Sequence, residues 1–551
     1  MADLSDPRDR GRALISSTPV TRRQMLQASV ASVVAVGAGG FLAACGGSTS
    51  PTPAASSGGG GTATTAPSAA PSDAGAPKKG GTLRFGAQGG AASDSLDAHN
   101  PITNTDYARV AQLYDQLVRF GDDGVPEFVL ADSIEPNADA TEWTIRVKKG
   151  VVTHDGKPFG AKDVLFSFKR IMDNKFPGAG TLLGVNIAGS KVIDDLTMTL
   201  KFDAPFSILK DALGLVYYYM VPEGYDPANP IGTGPFKLKS FTAGVESQVV
   251  RNDSYWMPGM PYLDGIITTN VADETAQVNG LQSGQFDCVN YLTAASIAAL
   301  QGAYTVTIAE TGSWGPITMR VDTAPFDDVR VRQALRLVVD RPQMLKQVFG
   351  GNGSIGNDVF GTLDPLFTAP GPQRAQDIEQ AKALLKEAGK ENLTLELVTT
   401  PSAPGMVQVA EVFATQAKAA GITVNITNQT PTDYFAQSYL KVAFSQDYWP
   451  YQPYLVTVSQ GTLGTAPFNA THQNDPDYDA MFKKALATPD DAGREAIIAE
   501  MLKFDFEKGG NIIPYHFPVI DATVKTLNGV TASATGQALG AFNFKAFWFS
   551  S

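Results

Sequence analysis

Trp143-Thr144-Ile145-Arg146-Val147-Lys148-Lys149-Gly150, followed by His154-Asp155-Gly156-Lys157-Pro158 and Ala161-Lys162-Asp163-Val164, reads as a strand, two turns and the start of a helix. Trp143, Ile145 and Val147 alternate with polar residues, the pattern of a strand with one face in a core. Gly150 and Asp155-Gly156 supply the turns. Val164, Phe168 and Ile171 recur at a spacing that places them on one helical face. Working outward, Gly81-Thr82-Leu83-Arg84-Phe85-Gly86 reads as a first strand. Residues 192–202 read as a hairpin turning at Asp194-Asp195.

The second half changes character. Val331, Ala334, Leu335 and Val338 keep helical spacing, and Asp340 with Pro342 starts another helix. Ile378, Ala381, Leu385 and Ala388 predict a third helix, stopped by Gly389. Leu393, Leu395 and Leu397 then alternate as a strand. Val407, Ala410, Ala414 and Ala417 predict a further helix, stopped by Gly421, and Ile422, Val424 and Ile426 alternate again. Helix and strand in turn define an α/β lobe.

At 551 residues the chain is too long for one core, so two or three domains are expected. With 43% hydrophobic and 18% charged residues it has the composition of a folded protein. The net charge is −12, which argues against nucleic acid as a partner, because phosphates would be repelled. There are two cysteines, Cys45 and Cys288; the second reads as an inert core residue.

Residues 1–44 read as an export signal. Arg22-Arg23 precede an uncharged apolar run, Val30 to Ala44, that is short for a bilayer span and ends in small residues. The arginine pair resembles a Tat-type signal. Leu42-Ala43-Ala44-Cys45 resembles a bacterial lipobox, which implies that Cys45 becomes the lipidated first residue of the mature chain. Residues 45–79 then form a Gly/Ser/Thr/Ala/Pro-rich tether that cannot build a core.

An enzyme is disfavoured by what the chain lacks. His99, His154, His472 and His516 are far apart, no His-Glu-x-x-His helix occurs, and no Gly-x-Ser-x-Gly elbow occurs. Ser207-Ile208-Leu209-Lys210 fits Ser-x-x-Lys but has no Lys-Thr-Gly companion. Gly351 to Gly356 fits Gly-x-Gly-x-x-Gly but follows a helix, so it reads as a helix stop and loop.

Five stretches carry a family resemblance. They are Leu113-Tyr114-Asp115-Gln116-Leu117-Val118; the region from Leu130-Ala131-Asp132-Ser133 to Ala161-Lys162-Asp163-Val164; Pro230-Ile231-Gly232-Thr233-Gly234-Pro235-Phe236; Pro325-Phe326-Asp327-Asp328-Val329-Arg330-Val331-Arg332-Gln333-Ala334-Leu335; and Ala381-Lys382-Ala383-Leu384-Leu385-Lys386-Glu387-Ala388-Gly389. In this order they resemble the family 5 extracellular solute-binding proteins of bacterial ABC importers. That resemblance implies an α/β, two-lobed fold of the periplasmic-binding-protein type II-like kind, with a hinge, mixed sheets and an extra N-terminal subdomain. Residues 80–112, 230–312 and 518–551 would form a discontinuous lobe I, 113–229 its accessory subdomain, and 313–517 lobe II. His154-Asp155-Gly156 is expected to be a turn and Gly232-Thr233-Gly234-Pro235 a backbone feature.

The implied function is capture of a small solute, a peptide or peptide-like compound first, without chemistry on it and without a cofactor or metal. Delivery would be to an ABC permease with its ATPase subunits, by a monomer anchored outside the membrane through Cys45. A sensor or adhesin of the same fold is the alternative, and an exported enzyme the more distant one. Peptide-binding relatives hold the ligand ammonium with a second-lobe Asp flanked by aromatics; Phe444-Ser445-Gln446-Asp447-Tyr448-Trp449-Pro450 is the matching stretch here, although Phe444 and the residues after Asp447 depart from the usual pattern. Asp447, Tyr448 and Trp449 are therefore candidate ligand contacts. Trp314, beside the expected lobe crossing, is a fourth. Tyr217-Tyr218-Tyr219 as a strand would split between two faces. For a ligand carboxylate, Lys418 and Lys441 are candidates in principle.

Overall fold

The computed structural model describes residues 75–550, so the arginine pair, the apolar run, Cys45 and most of the tether lie outside the described residues. A seven-stranded mixed sheet gathers distant segments. Its order is Thr305–Ala309, Val519–Thr523, Cys288–Val289, Thr82–Gln88, Gly265–Val271, Glu246–Arg251, Phe236–Thr242. Thr82–Gln88 runs parallel to both neighbours, with Leu83 opposite Ile266 and Phe85 opposite Cys288. Leu83, Phe85, Ile266 and Cys288, on one face of this sheet, are fully buried.

A four-stranded antiparallel sheet forms a separate layer: Ala131–Pro136, Glu142–Val147, Thr197–Phe202, Val185–Val192. Trp143, Ile145 and Val147 point into its core and Arg146 points out, as the alternation predicts. The helix Ala161–Asp173 buries Val164, Phe168 and Ile171 against this sheet. Burying each such side chain contributes about 1.5–3 kcal/mol.

The second lobe holds a five-stranded mixed sheet: Thr423–Asn428, Thr394–Thr399, Phe444–Gln446, Ile317–Met319, Asn511–Ile512. Its helices start and stop where the sequence marks them. Asp340 caps Arg341–Phe349 by accepting the Gln343 N–H at 2.9 Å. Gly389 and Gly421 adopt left-handed conformations, φ 64° and 80°, beyond the ends of two others. The helix Met406–Ala417 turns Met406, Val409, Ala410, Phe413, Ala414 and Ala417 inward, so Val407, expected on that face, is only half-buried. Phe413 draws the apolar stripe toward its own side.

Two antiparallel segments join the lobes. Trp314 pairs with His516, the Phe517 N–H donates to the Ser313 carbonyl at 3.0 Å, and Thr311 Oγ1 donates to the Phe517 carbonyl at 2.7 Å. Apolar packing also runs from the four-stranded layer into the second lobe, from Leu117, Phe120 and Leu213 to Tyr451, Tyr454 and Phe482. No helix among the described residues is long and apolar enough to cross a membrane.

Candidate ligand-binding cleft

Asp115 stands at the centre of one cleft wall because of the helix before it. Asn104–Leu113 begins with a capping box between Thr103 and Asp106 and ends where Tyr114 turns extended. Gly232 and Gly234 press on that end. A Cβ on Gly232 would sit 2.2 Å from the Leu113 oxygen, and one on Gly234 2.3 Å from the Leu113 carbonyl carbon. Only glycine permits this approach, and it brings Thr233 Oγ1 within 3.2 Å of Asp115 Oδ2. Trp256 Nε1 donates to the same oxygen at 2.9 Å, and the Tyr255 hydroxyl to Oδ1 at 3.0 Å. Burial pushes the Asp115 carboxyl up from its ordinary value, opposed by Lys545 and these three donors.

Lys545 arrives from the C-terminal segment by an unusual route. Leu539, Gly540, Ala541 and Phe542 hold φ of 53°, 61°, 55° and 54°, a full left-handed turn with three side-chain-bearing residues. Each costs roughly 1–2 kcal/mol. The buried Asp521 carboxylate holds the turn by accepting the Leu539 and Tyr291 N–H groups. The chain then presents Asn543, Phe544 and Lys545. Burial holds the Lys545 ammonium below its ordinary value, with Asp115 pulling it back up.

These groups line a cleft of about 100 Å³ between the lobes. Arg119, Tyr217 and Tyr219 complete the first-lobe wall, and Pro450, Tyr451 and Gln452 form the opposite one. Tyr217-Tyr218-Tyr219 is not a strand, yet its members still alternate: Tyr217 and Tyr219 face the cleft, and Tyr218 hydrogen-bonds to the Gly178 carbonyl inside the accessory layer. Tyr451 closes the far side. Its ring packs between Gly312 and Gly124 and lies edge-on to Phe120 at 5.6 Å, and its hydroxyl donates to the Gly124 carbonyl at 3.1 Å.

The residues singled out from sequence lie together in the second lobe, mostly beside this cleft rather than on it. Asp447, Trp449 and Trp314 line a smaller pocket of about 10 Å³. Asp447 is 2% exposed. It accepts from the Tyr448 N–H at 2.8 Å, from the Tyr439 hydroxyl at 3.1 Å and from Trp449 Nε1 at 3.1 Å. Trp314 is stacked between Phe360 and Trp449, with centroids at 5.1 and 5.7 Å, so much of its surface is packed at the lobe crossing. Tyr448 reaches toward Tyr107 and Tyr217, which are hydrogen-bonded to each other. Lys418 is exposed, and exposed Lys441 donates to the Ala436 carbonyl; neither lines the cleft.

Sequence reasoning missed Lys545 and Asn543, and took Asp115 only as part of a motif. No local pattern marks the first two, because only the fold brings them beside Asp115. His154 is a half-buried turn residue: Nε2 meets the Gly234 carbonyl at 3.1 Å, Nδ1 accepts the Gly232 N–H at 3.2 Å, and desolvation lowers its pKa to about 4. Ser207 Oγ donates to the Ala485 carbonyl. Cys288 is buried and free. No group of three or more His, Cys, Asp or Glu among the described residues is placed to hold a metal.

The family model "Bacterial extracellular solute-binding proteins, family 5 Middle" matches residues 126–493. The chain is similar to Heme-binding protein A of Haemophilus influenzae, 27% identical over 372 residues, covering 60% of this chain and 68% of that protein. It is likewise similar to the dipeptide-binding protein of Escherichia coli, 28% identical over 389 residues, covering 62% and 72%. Among solved structures it resembles PBP AgaA of A. tumefaciens R10 in complex with agropinic acid, at 25% identity and TM-score 0.70, covering 85% of this chain and 99% of that one. It also shares its fold with DppA of Helicobacter pylori in complex with peptide STSA, at 20% identity and TM-score 0.71, covering 86% and 99%. These relatives are binding proteins rather than enzymes. The two-lobed α/β fold and the extent of the family match lead to one assignment: the chain belongs to the family 5 bacterial extracellular solute-binding proteins.

Proposed function

We propose that this protein captures a small solute, a peptide or peptide-like compound first, between its lobes and hands it to an ABC import permease. The observation that carries the reading is the cleft with one wall from each lobe, lined by Asp115, Tyr217 and Lys545 on one side and Tyr451 and Gln452 on the other. Residues 80–112, 230–312 and 518–551 make lobe I, 113–229 its accessory subdomain, and 313–517 lobe II. Asp447 receives a ligand ammonium in the pocket it shares with Trp449 and Trp314, and Tyr448 contributes an aromatic surface. Closure follows from the ligand's greater affinity for the closed form. The protein acts as a monomer, held outside the membrane by acyl chains on Cys45 after Tat-type export.

The test is a thermal-shift screen. The full chain is stripped of solute by unfolding and refolding, then melted with peptides, sugars, opines and metal chelates. A solute that binds only the folded state stabilises it by about 2.7 kcal/mol at one hundred times its Kd. A shift with a peptide that disappears in Asp447→Asn supports the ammonium site. A shift with an uncharged sugar removes that role from Asp447. For the anchor, Cys45→Ala moves the protein from the membrane to the soluble fraction; retention on membranes would discard lipidation.

A further inference from the structure

The left-handed turn ends on two polar groups that the protein itself leaves unsatisfied. Asn543 Oδ1 is buried and accepts no hydrogen bond. Lys545 makes no hydrogen bond or ion pair among the described residues; Asp115 and Glu127 act on it only through space. Both residues line the cleft. A buried acceptor without a donor is costly, and so is a desolvated ammonium without a close counter-ion. Together they form a cation beside an acceptor, at the end of a strained turn fixed by Asp521. Strain held by such support is characteristic of binding sites.

The charges around this pair limit what it can receive. Asp115 is already occupied by Thr233, Tyr255 and Trp256. Arg119 is bonded to Glu127 at 3.0 Å. Among the described residues, Lys545 is thus the cleft cation without an ion pair, and the Asp115 carboxylate behind it opposes a dianion such as phosphate. A carboxylate satisfies the lysine. An N–H on the carbon next to that carboxylate satisfies the asparagine.

We propose that Lys545 and Asn543 form the cleft's receptor for an amino-acid-type carboxylate. Lys545 Nζ donates to the carboxylate oxygens, and Asn543 Oδ1 accepts the N–H carried on the adjacent carbon. The ligand class is an N-substituted α-amino carboxylate, the group found at the C-terminus of a peptide. This rests on the reading of the cleft as the solute site and adds which chemical group the first lobe recognises.

The experiment observes Lys545 directly. Lysines of the full chain are reductively methylated with 13C, and the Lys545 signal is assigned by its loss in Lys545→Arg. N-acetylglycine, N-acetylglycinamide, acetate and inorganic phosphate are then titrated separately. N-acetylglycine should shift the signal saturably and bind roughly tenfold more tightly than acetate, the effect of one added buried hydrogen bond. N-acetylglycinamide and phosphate should leave it in place. In Asn543→Leu the preference over acetate should vanish while acetate still shifts the signal. A Lys545 signal that no carboxylate moves, that follows the neutral amide equally, or that answers phosphate more strongly overturns the proposal. The wild-type titration decides this even if Asn543→Leu fails to fold. A solute that raises the melting midpoint while leaving Lys545 silent refutes this receptor and keeps the capture function.

Discussion

Asp115 and Asp447 are both buried carboxylates that accept hydrogen bonds, one in each lobe, but they are assembled in opposite ways. Tyr439, Tyr448 and Trp449, which donate to Asp447, come from its own neighbourhood. Those of Asp115 come from Thr233, Tyr255 and Trp256, with Lys545 behind them from the far end of the chain. A site built locally can be read from a short motif. A site built across the fold is visible only once the chain has folded, and it holds distant segments together as well as facing the cleft. We propose from this contrast that Asp115 serves the architecture and Asp447 recognition, and four measurements test that division.

The largest effect is expected at Asp115→Ala. Three donors lose their acceptor and Lys545 loses its nearest counter-charge, so urea unfolding should show a loss of about 3–5 kcal/mol. A loss below 1 kcal/mol would break the comparison. Next comes Asp447→Asn, which should weaken an ammonium-bearing solute by roughly 1.5–3 kcal/mol in calorimetry, the worth of a charged hydrogen bond, with a smaller change in melting temperature. The reverse pattern would exchange the two roles.

A third carboxylate pair sharpens the contrast through pH. Asp211, on the accessory helix Leu209–Leu213, faces Asp364, whose oxygens accept the N–H groups of Leu366 and Tyr454. Burial first, and then Asp364, raises Asp211 to about 7; Arg494 and Lys210 oppose this and Asp491 adds to it. A folded value above the unfolded one near 4 means that the native state holds the proton more tightly. Its stabilising contribution is complete below pH 4 and is lost as pH rises through 7. Relative to Asp211→Asn, the wild type should lose about 1–2 kcal/mol between pH 4 and 8, after allowance for partial exposure. Parallel stability curves for the two proteins would refute the linkage. The smallest effect belongs to Tyr451→Phe, which removes the hydroxyl bond to Gly124 across the lobes. It should cost about 0.5–1.5 kcal/mol, read as a few-fold faster solute release. Unchanged release would show that ring packing alone closes the cleft.

The same division explains what was legible in the sequence. Trp143, Ile145 and Val147 announced a strand because alternation is local, and Asp340 with Pro342 announced a helix start for the same reason. Asp447 could be singled out because its aromatics adjoin it. Lys545 carried no signal: it comes beside Asp115 only through a left-handed turn that the run Leu539-Gly540-Ala541-Phe542 does not advertise. Trp314 was expected beside the crossing, but the stack on either side comes from Phe360 and Trp449, at separations that no periodicity encodes.

The strand Val519–Thr523 lies between Thr305–Ala309 and Cys288–Val289 in the seven-stranded sheet, while all five strands of the second lobe's sheet are encoded between Ala309 and Val519. The order of synthesis and the order of completion therefore differ. As the chain leaves the ribosome, the second lobe's sheet has all its strands before the seven-stranded sheet receives its last one. Until Val519–Thr523 emerges, two strand edges of the first lobe stay open to other chains. Chaperone demand during biogenesis is thus concentrated in the final stretch of translation, and a nonsense mutation there would leave a finished second lobe attached to an unclosed first one.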